Sequence, residues 1–169
     1  MTAYRRPKSL RDILIRAKVP PKPTRRSNRS CLGMKKCNSA NCNVCPYIME
    51  TDNLKSTQTK FTHKICSKVN CLTENLIYLI TCTKCKQQYI GQTGRKFKCR
   101  LDEHISYVKN NVLTQPTGFH FNQPGHDVSF LQASIVEKCN YNEEMYRLER
   151  ETMYINLFDS KNKGMNKKL

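Results

Sequence analysis

Five side chains are of types that can hold a cation, bind an anion or move a proton: the phenols of Tyr78 and Tyr89, the Arg100 guanidinium, the His104 imidazole and the Glu151 carboxylate. A carboxylate holds a hard divalent cation. A guanidinium fork matches phosphate oxygens. A phenol titrates at about 10 when free, so it takes a proton from water only where positive charge lowers that value. An imidazole transfers protons or contacts phosphate. Taken singly, each has an ordinary reading. The tyrosines can be strand aromatics, Arg100 a surface charge, and His104 a packing or capping group. Glu149 and Glu151 can be surface acids paired with Arg147 or Arg150. Only their joint order overturns these readings.

The cysteines form a second set, ten in 169 residues. In a secreted chain they would read as a disulfide framework. Here they fall in Cys-x-x-Cys pairs beside lysines and histidines, and no secretory signal is visible. Zinc in a reducing compartment is therefore the stronger reading. Cys31, Cys37, Cys42 and Cys45 lie within fifteen residues and match a closed four-thiolate site. Cys31 is the least firm of them, because His63, Cys66 or Cys71 can replace it. Such a knuckle lets a segment with almost no core of its own fold on metal. Cys99 and Cys139 read as reduced core residues.

The net charge of +17 calls for a polyanionic partner, with nucleic acid the commonest. The apolar runs are too short to span a membrane. Residues 1–36 hold twelve Lys/Arg against the single acid Asp12. Within them Ser9 can cap a short helix carrying Leu10, Ile13, Leu14 and Ala17 on one face, ended by Pro20, Pro21 and Pro23. A basic, proline-stiffened linker follows. Residues 46–74 suggest a hairpin.

The elements that must position the five residues come next. Leu76–Thr81 and Gln88–Gly91 read as strands joined by the turn that carries Cys82 and Cys85. A helix starts at Arg95 with Phe97, Leu101, Ile105 and Val108 on its apolar stripe, which sets Arg100 and His104 four residues apart, off that stripe. Asn110-Asn111 stops it. Val112–His126 is loop-like with room for a short helix. Val128–Val136 is a third strand. A last helix, Glu143–Leu157, is expected to bury Met145, Leu148, Thr152 and Ile155. The class is thus α+β: a small three-stranded antiparallel sheet flanked by helices, preceded by a cysteine-rich basic segment. The expected divisions are 1–30 (basic helix and linker), 31–71 (cysteine-rich knuckle) and 72–169 (the domain bearing the five residues).

Leu76-Ile77-Tyr78, Tyr89-Ile90-Gly91, Arg100 with His104, and Glu151 in a Glu-Arg-Glu helix together resemble the GIY-YIG nuclease superfamily over about residues 72–169. The first motif departs from the pattern in having Leu76 where glycine is usual, which reads as a packing change. The resemblance implies the GIY-YIG fold and a catalytic set of Tyr78, Tyr89, Arg100, His104, Glu151 and Asn166, with the first-motif tyrosine the usual base. It also implies Mg2+ or Mn2+ held by Glu151 in a one-metal hydrolysis of DNA. The cysteines between the tyrosine strands resemble the nuclease domain of Penelope-like retroelements, which implies a zinc site of Cys82, Cys85, His120 and His126. Their intervals, Cys-x2-Cys and His-x5-His, fit zinc independently. One or two structural Zn2+ per chain are expected.

The leading expectation is a DNA endonuclease that nicks a strand to prime retroelement insertion. It would act in the nucleus or another reducing compartment, with RNA as a second ligand of the basic arm and an upstream reverse transcriptase domain as a partner. The alternative is a catalytically inactive, zinc-stabilised nucleic-acid-binding module.

Overall fold

The computed structural model describes residues 32–140 and 143–166. The short helix and linker expected in residues 1–30, and Cys31, lie outside the described residues. The described residues fall in one unit, Cys31–Leu169.

A three-stranded antiparallel sheet carries the site, with Leu76–Cys82 (β5) between Gln88–Thr93 (β6) and Leu131–Lys138 (β7), and it fits the expected class. Its central strand β5 is buried on both faces, so its apolar run is nearly continuous instead of alternating. β7 begins later than expected. Val128–Phe130 forms a single 3-10 turn, because the Asp127 carboxylate accepts the Ser129 amide at 2.8 Å and caps it. The strand then runs on to Lys138.

Across β5 and β6, Tyr78 faces Gly91 and Ile80 faces Tyr89. Gly91 is needed there: a Cβ would run into the Tyr78 hydroxyl and come within 2.9 Å of Tyr89 Cε1. The glycine is the space into which the first tyrosine folds. On the outer edge of β6 the C-terminal loop closes the strand. Asn166 Oδ1 accepts the Ile90 amide at 2.7 Å and its Nδ2 donates to the Ile90 carbonyl at 2.6 Å. This pairing satisfies edge-strand groups that would otherwise stay open.

Helix α1, Phe97–Lys109, buries Phe97, Leu101, Ile105 and Val108, the expected stripe, and His104 beside it. Its C-terminal end is set by Asn110 and by Asn111 in the left-handed region (φ 54). The short helix α2, Pro116–Phe121, starts on Pro116. Gly118 lets α2 approach the end of α1, since a Cβ there would collide with the Val112 carbonyl.

The last helix, α3, Glu144–Phe158, corrects the expected stripe. Met145, Leu148 and Thr152 are exposed and Ile155 is half-buried, whereas Arg147, Tyr154 and Phe158 face inward. The reason is polar. Arg147 donates to Gln92 Oε1 (3.0 Å) and Asn75 Oδ1 (3.3 Å), and Arg150 and Tyr154 converge on Glu137 Oε2. These bonds fix the rotation of the helix, and they leave neither arginine to pair with Glu149 or Glu151.

Residues 32–74 pack with the sheet. They form a parallel pair, β1 (Gly33–Met34) with β4 (Lys68–Val69), and the expected hairpin, β2 (Asn53–Lys55) with β3 (Thr62–Lys64). The Met49 amide donates to Ala133 on β7 at 2.9 Å. Met34, Val44, Ile48, Leu54, Ile65 and Val69 join the same buried cluster as the sheet. The segment is therefore not coreless, contrary to expectation. Its apolar residues are spaced too irregularly to betray a shared core.

Gly91→Ala is expected to lower unfolding free energy by about 1–3 kcal/mol through overpacking against Tyr78. Urea denaturation checks this, and an unchanged midpoint would contradict the packing described.

Candidate active site

The Tyr78 hydroxyl is the meeting point of three elements. From α1, Arg100 Nε donates to it at 3.0 Å, and His104 Nε2 lies 2.7 Å away. With the oxygen already accepting from Arg100, the phenolic proton points at Nε2. The imidazole proton then sits on Nδ1 and is donated to Thr117 Oγ1 on α2, 2.8 Å away. The chain Arg100–Tyr78–His104–Thr117 thus gives the histidine one tautomer and the phenol one rotamer. Arg100 Nη1 is steadied by Glu103 Oε2 at 2.8 Å, and Glu103 also pairs with Arg95 at 2.5 Å. The rings close around one another: Tyr89 and His104 centroids lie 5.4 Å apart, Tyr78 and Phe97 5.6 Å.

Glu151 on α3 turns toward this cluster. It is half-buried, and burial raises its carboxyl above the ordinary range, against the opposing pull of the Gln92 backbone and Arg100. Its charge acts on both tyrosines. So the two phenols, the guanidinium and the carboxylate that were separate in sequence share one place, contributed by β5, β6, α1 and α3.

Solvent access divides their roles. Tyr78 and His104 are enclosed, at 0% and 2% exposure, while Tyr89, Arg100 and Glu151 keep partial access. Burial, then the neighbouring Tyr89, pushes the Tyr78 phenol well above its usual value, with Arg100 opposing. Tyr89 is likewise raised, chiefly by burial. Burial, then Arg100, holds His104 down to about 3. Near neutral pH all three are uncharged. The resemblance gave Tyr78 as the usual base; the structure instead encloses it as a neutral phenol, because desolvation outweighs the adjacent guanidinium. The phenol that water can reach is Tyr89. Asn166 also stands apart from the expected set. Both atoms of its amide are spent on the Ile90 backbone, so it positions the Tyr89-bearing strand.

Two further clusters suit metal. Cys82, Cys85, His120 and His126 bring their donor atoms within 4.8 Å of one another. Both ring nitrogens of His126 are buried without a hydrogen-bond partner, a costly state that a ligated ion would relieve. Cys82 ends β5 and Cys85 lies in the β5–β6 turn, and His120 lies on α2 one turn beyond Thr117. In the second cluster Cys37, Cys42 and Cys45 are joined by Cys71. Cys37 and Cys45 sulfurs are 3.4 Å apart, Cys45 and Cys71 3.6 Å. Tetrahedral Zn–S bonds of about 2.3 Å put sulfurs at about 3.8 Å, so this set fits zinc. Cys71 stands in the fourth place that the sequence offered first to Cys31. Cys99 is exposed, not core, and Cys139 is buried.

Sequence reasoning missed Thr117 and Glu103. Glu103 follows Arg100 at i+3, a spacing that could have flagged it. Thr117 carries no signal, since its contact exists only once α2 docks on α1.

Comparison with known proteins bears on residues 74–166, which match the family model of the GIY-YIG catalytic domain. Two solved structures of the catalytic domain of the homing endonuclease I-TevI, one of them a mutant, are similar. They have 24% and 25% identity and TM-scores of 0.46 and 0.47, each over 54% of this chain and 96% and 91% of theirs. No curated protein sequence matches.

The buried neutral imidazole makes a pH prediction. Between about 6.5 and about 3 the unfolded chain takes up a proton at His104 that the folded chain refuses. Its contribution to stability is whole above pH 6.5 and is lost as pH falls. From pH 7 to 4.5, unfolding free energy should drop about 2–3 kcal/mol more in wild type than in His104→Gln. Equal losses in urea titrations would contradict the assignment.

Proposed function

The chain belongs to the GIY-YIG family, whose catalytic-domain model spans more than half of it, and on that premise we propose that it is a metal-dependent DNA endonuclease. The observation that carries this is the convergence of Tyr89, Arg100 and Glu151 on one partly open place, with Tyr78 and His104 enclosed behind them. The net charge of +17 favours a nucleic acid as the polyanion.

Glu151 offers a hard oxygen donor, and its half-buried carboxylate gains from an adjacent cation, so the residues fit Mg2+ or Mn2+. A cation held there supplies Lewis-acid stabilisation of the phosphate and of the leaving 3′ oxygen. Glu103 is taken up by Arg95 and Arg100, which leaves Glu151 as the carboxylate for a cation and favours one metal. The chain's own residues do the rest. Arg100, held at Nε by Tyr78 and at Nη1 by Glu103, presents the rest of its guanidinium to the scissile phosphate and offsets charge that grows in the transition state. Tyr78, accepting from Nε, fixes the angle of that fork. Tyr89 orients the attacking water by a hydrogen bond; as the new P–O bond forms and the bond to the 3′ oxygen breaks, the water's proton passes to solvent water on the open side of the site and the 3′ oxygen takes its proton from the same solvent. His104, held neutral, keeps the Tyr78 hydroxyl turned away from Arg100 so that its lone pair faces Nε.

The cysteine-bearing turn between the tyrosine strands, with its two histidines on a following helix and loop, supports a Penelope-like origin and a nick that primes retroelement insertion. In that reading residues 31–71 and 72–169 are the linker knuckle and the nuclease, and the basic residues 1–30 contact DNA or RNA beside a reverse transcriptase. Free thiols gathered into zinc-fitting clusters support a reducing compartment such as the nucleus. No helix among the described residues is long and apolar enough to cross a membrane.

A supercoiled-plasmid assay in Mg2+ tests the activity. Wild type should nick, while Glu151→Ala and Arg100→Ala should each lose about 100-fold or more with DNA affinity retained. Binding by wild type without cleavage would overturn the enzyme in favour of an inactive binding module.

A further inference from the structure

The start of α1 has no cap of its own. Lys96 stands at the N-cap without a side-chain bond, and no acid lies in the first turn. Four amides at a helix start need partners from outside the regular ladder. Here Cys99 and Arg100 donate back to the Lys96 carbonyl, at 3.0 and 3.3 Å. The two outermost amides go to another part of the chain. Phe97 N donates to the Thr73 carbonyl at 2.8 Å, and Lys98 N to the Cys71 carbonyl at 2.7 Å. Cys71 is thus both a cap of α1 and the fourth sulfur of the cluster with Cys37, Cys42 and Cys45. A second tie runs parallel: Asn43, between Cys42 and Cys45, donates Nδ2 to Asp102 Oδ1 on α1 at 3.2 Å.

We propose that the four-thiolate centre, loaded with zinc, is the N-terminal cap of the helix that carries Arg100 and His104, and so a positioning site for cleavage. The proposal rests on the nuclease reading for its consequence, though not for its structural content. The physical logic has two parts. The metal ties the 37–45 knuckle to the 70–73 turn, a turn otherwise held by short-range bonds such as Asn70 N to Thr73 Oγ1 (3.0 Å). Fixing that turn fixes the two carbonyls. In addition, zinc with four thiolates carries net negative charge beside the positive end of the helix dipole, which favours the docked helix. Arg100 lies in the first turn of α1, so a helix start that frays moves the guanidinium before it moves anything else. His104, a turn further in and held by Tyr78 and Thr117, is less affected.

The test uses the full chain. Elemental analysis of wild type should give about two zinc per chain, and Cys42→Ser about one, with Cys82, Cys85, His120 and His126 retaining theirs. Amide exchange followed by NMR should then show Phe97 and Lys98 opening about ten-fold faster or more, with Leu79 in the central strand still protected. Nicking should lose about ten-fold in kcat with KM little changed, because the phosphate clamp is misplaced and DNA contact elsewhere persists. Zinc lost with Phe97 and Lys98 protection intact would overturn the cap, and Cys42→Ser that keeps two zinc would overturn the ligand set. If Cys42→Ser does not fold, a chelator titration of wild type decides. Lys98 protection should fall in step with the release of one zinc, and protection that survives removal of both contradicts the proposal. The exchange readout stands whether or not the chain cleaves DNA, so failure here is distinct from failure of the nuclease reading.

Discussion

One phenolic oxygen holds the site together. Tyr78 Oη accepts from Arg100 and donates to His104 in a buried place, where each of those bonds is worth more than at a surface and each broken one leaves a buried polar group unpaired. Almost every other feature serves that junction. Gly91 clears the space for the ring, Phe97 packs on it, and Thr117 holds the far nitrogen of the imidazole. The central strand β5 can carry such a residue because it is covered on both faces.

Around the junction the molecule is arranged in an enclosed layer and an open one. The enclosed layer, Tyr78 and His104, is neutral by desolvation: burial keeps the proton on the phenol and off the imidazole. The open layer keeps the charges, Arg100 and Glu151, where a phosphate and a cation can meet them. The separation explains how a phenol and an imidazole can sit beside an arginine without being ionised. It also turns Tyr78 and His104 from proton carriers into parts that set an angle. The two cysteine clusters extend the arrangement outward. One is linked to His104 through α2 and Thr117, the other to the start of α1 through Cys71, so a single helix is held from both sides.

Much of this was legible in the sequence, for reasons that differ by element. β5 and β6 were readable because an apolar run bounded so closely by turn residues is too short for a helix, and α1 because its stripe follows the helical period. The convergence of Glu151 with residues fifty and more positions away was legible only through the order of the whole set. The last helix misled for a physical reason: it docks by Arg147, Arg150 and Tyr154 through buried hydrogen bonds, and hydrophobic periodicity cannot register a polar inward face. The enclosure of Tyr78 was also out of reach, since burial is decided by neighbours. Cys71 was one of several candidates in sequence, and only the fold of the 70–73 turn separates it from His63, which bonds the Val136 carbonyl instead, and from exposed Cys66.

The central claim is that the Tyr78 hydroxyl sets the Arg100 guanidinium for phosphate. Single-turnover DNA cleavage by Tyr78→Phe in Mg2+ tests it most directly, because the ring keeps its packing and only the junction is removed. The account predicts a folded protein whose cleavage falls by about 100-fold while its DNA Kd changes less than about three-fold. Cleavage at the wild-type rate would contradict it.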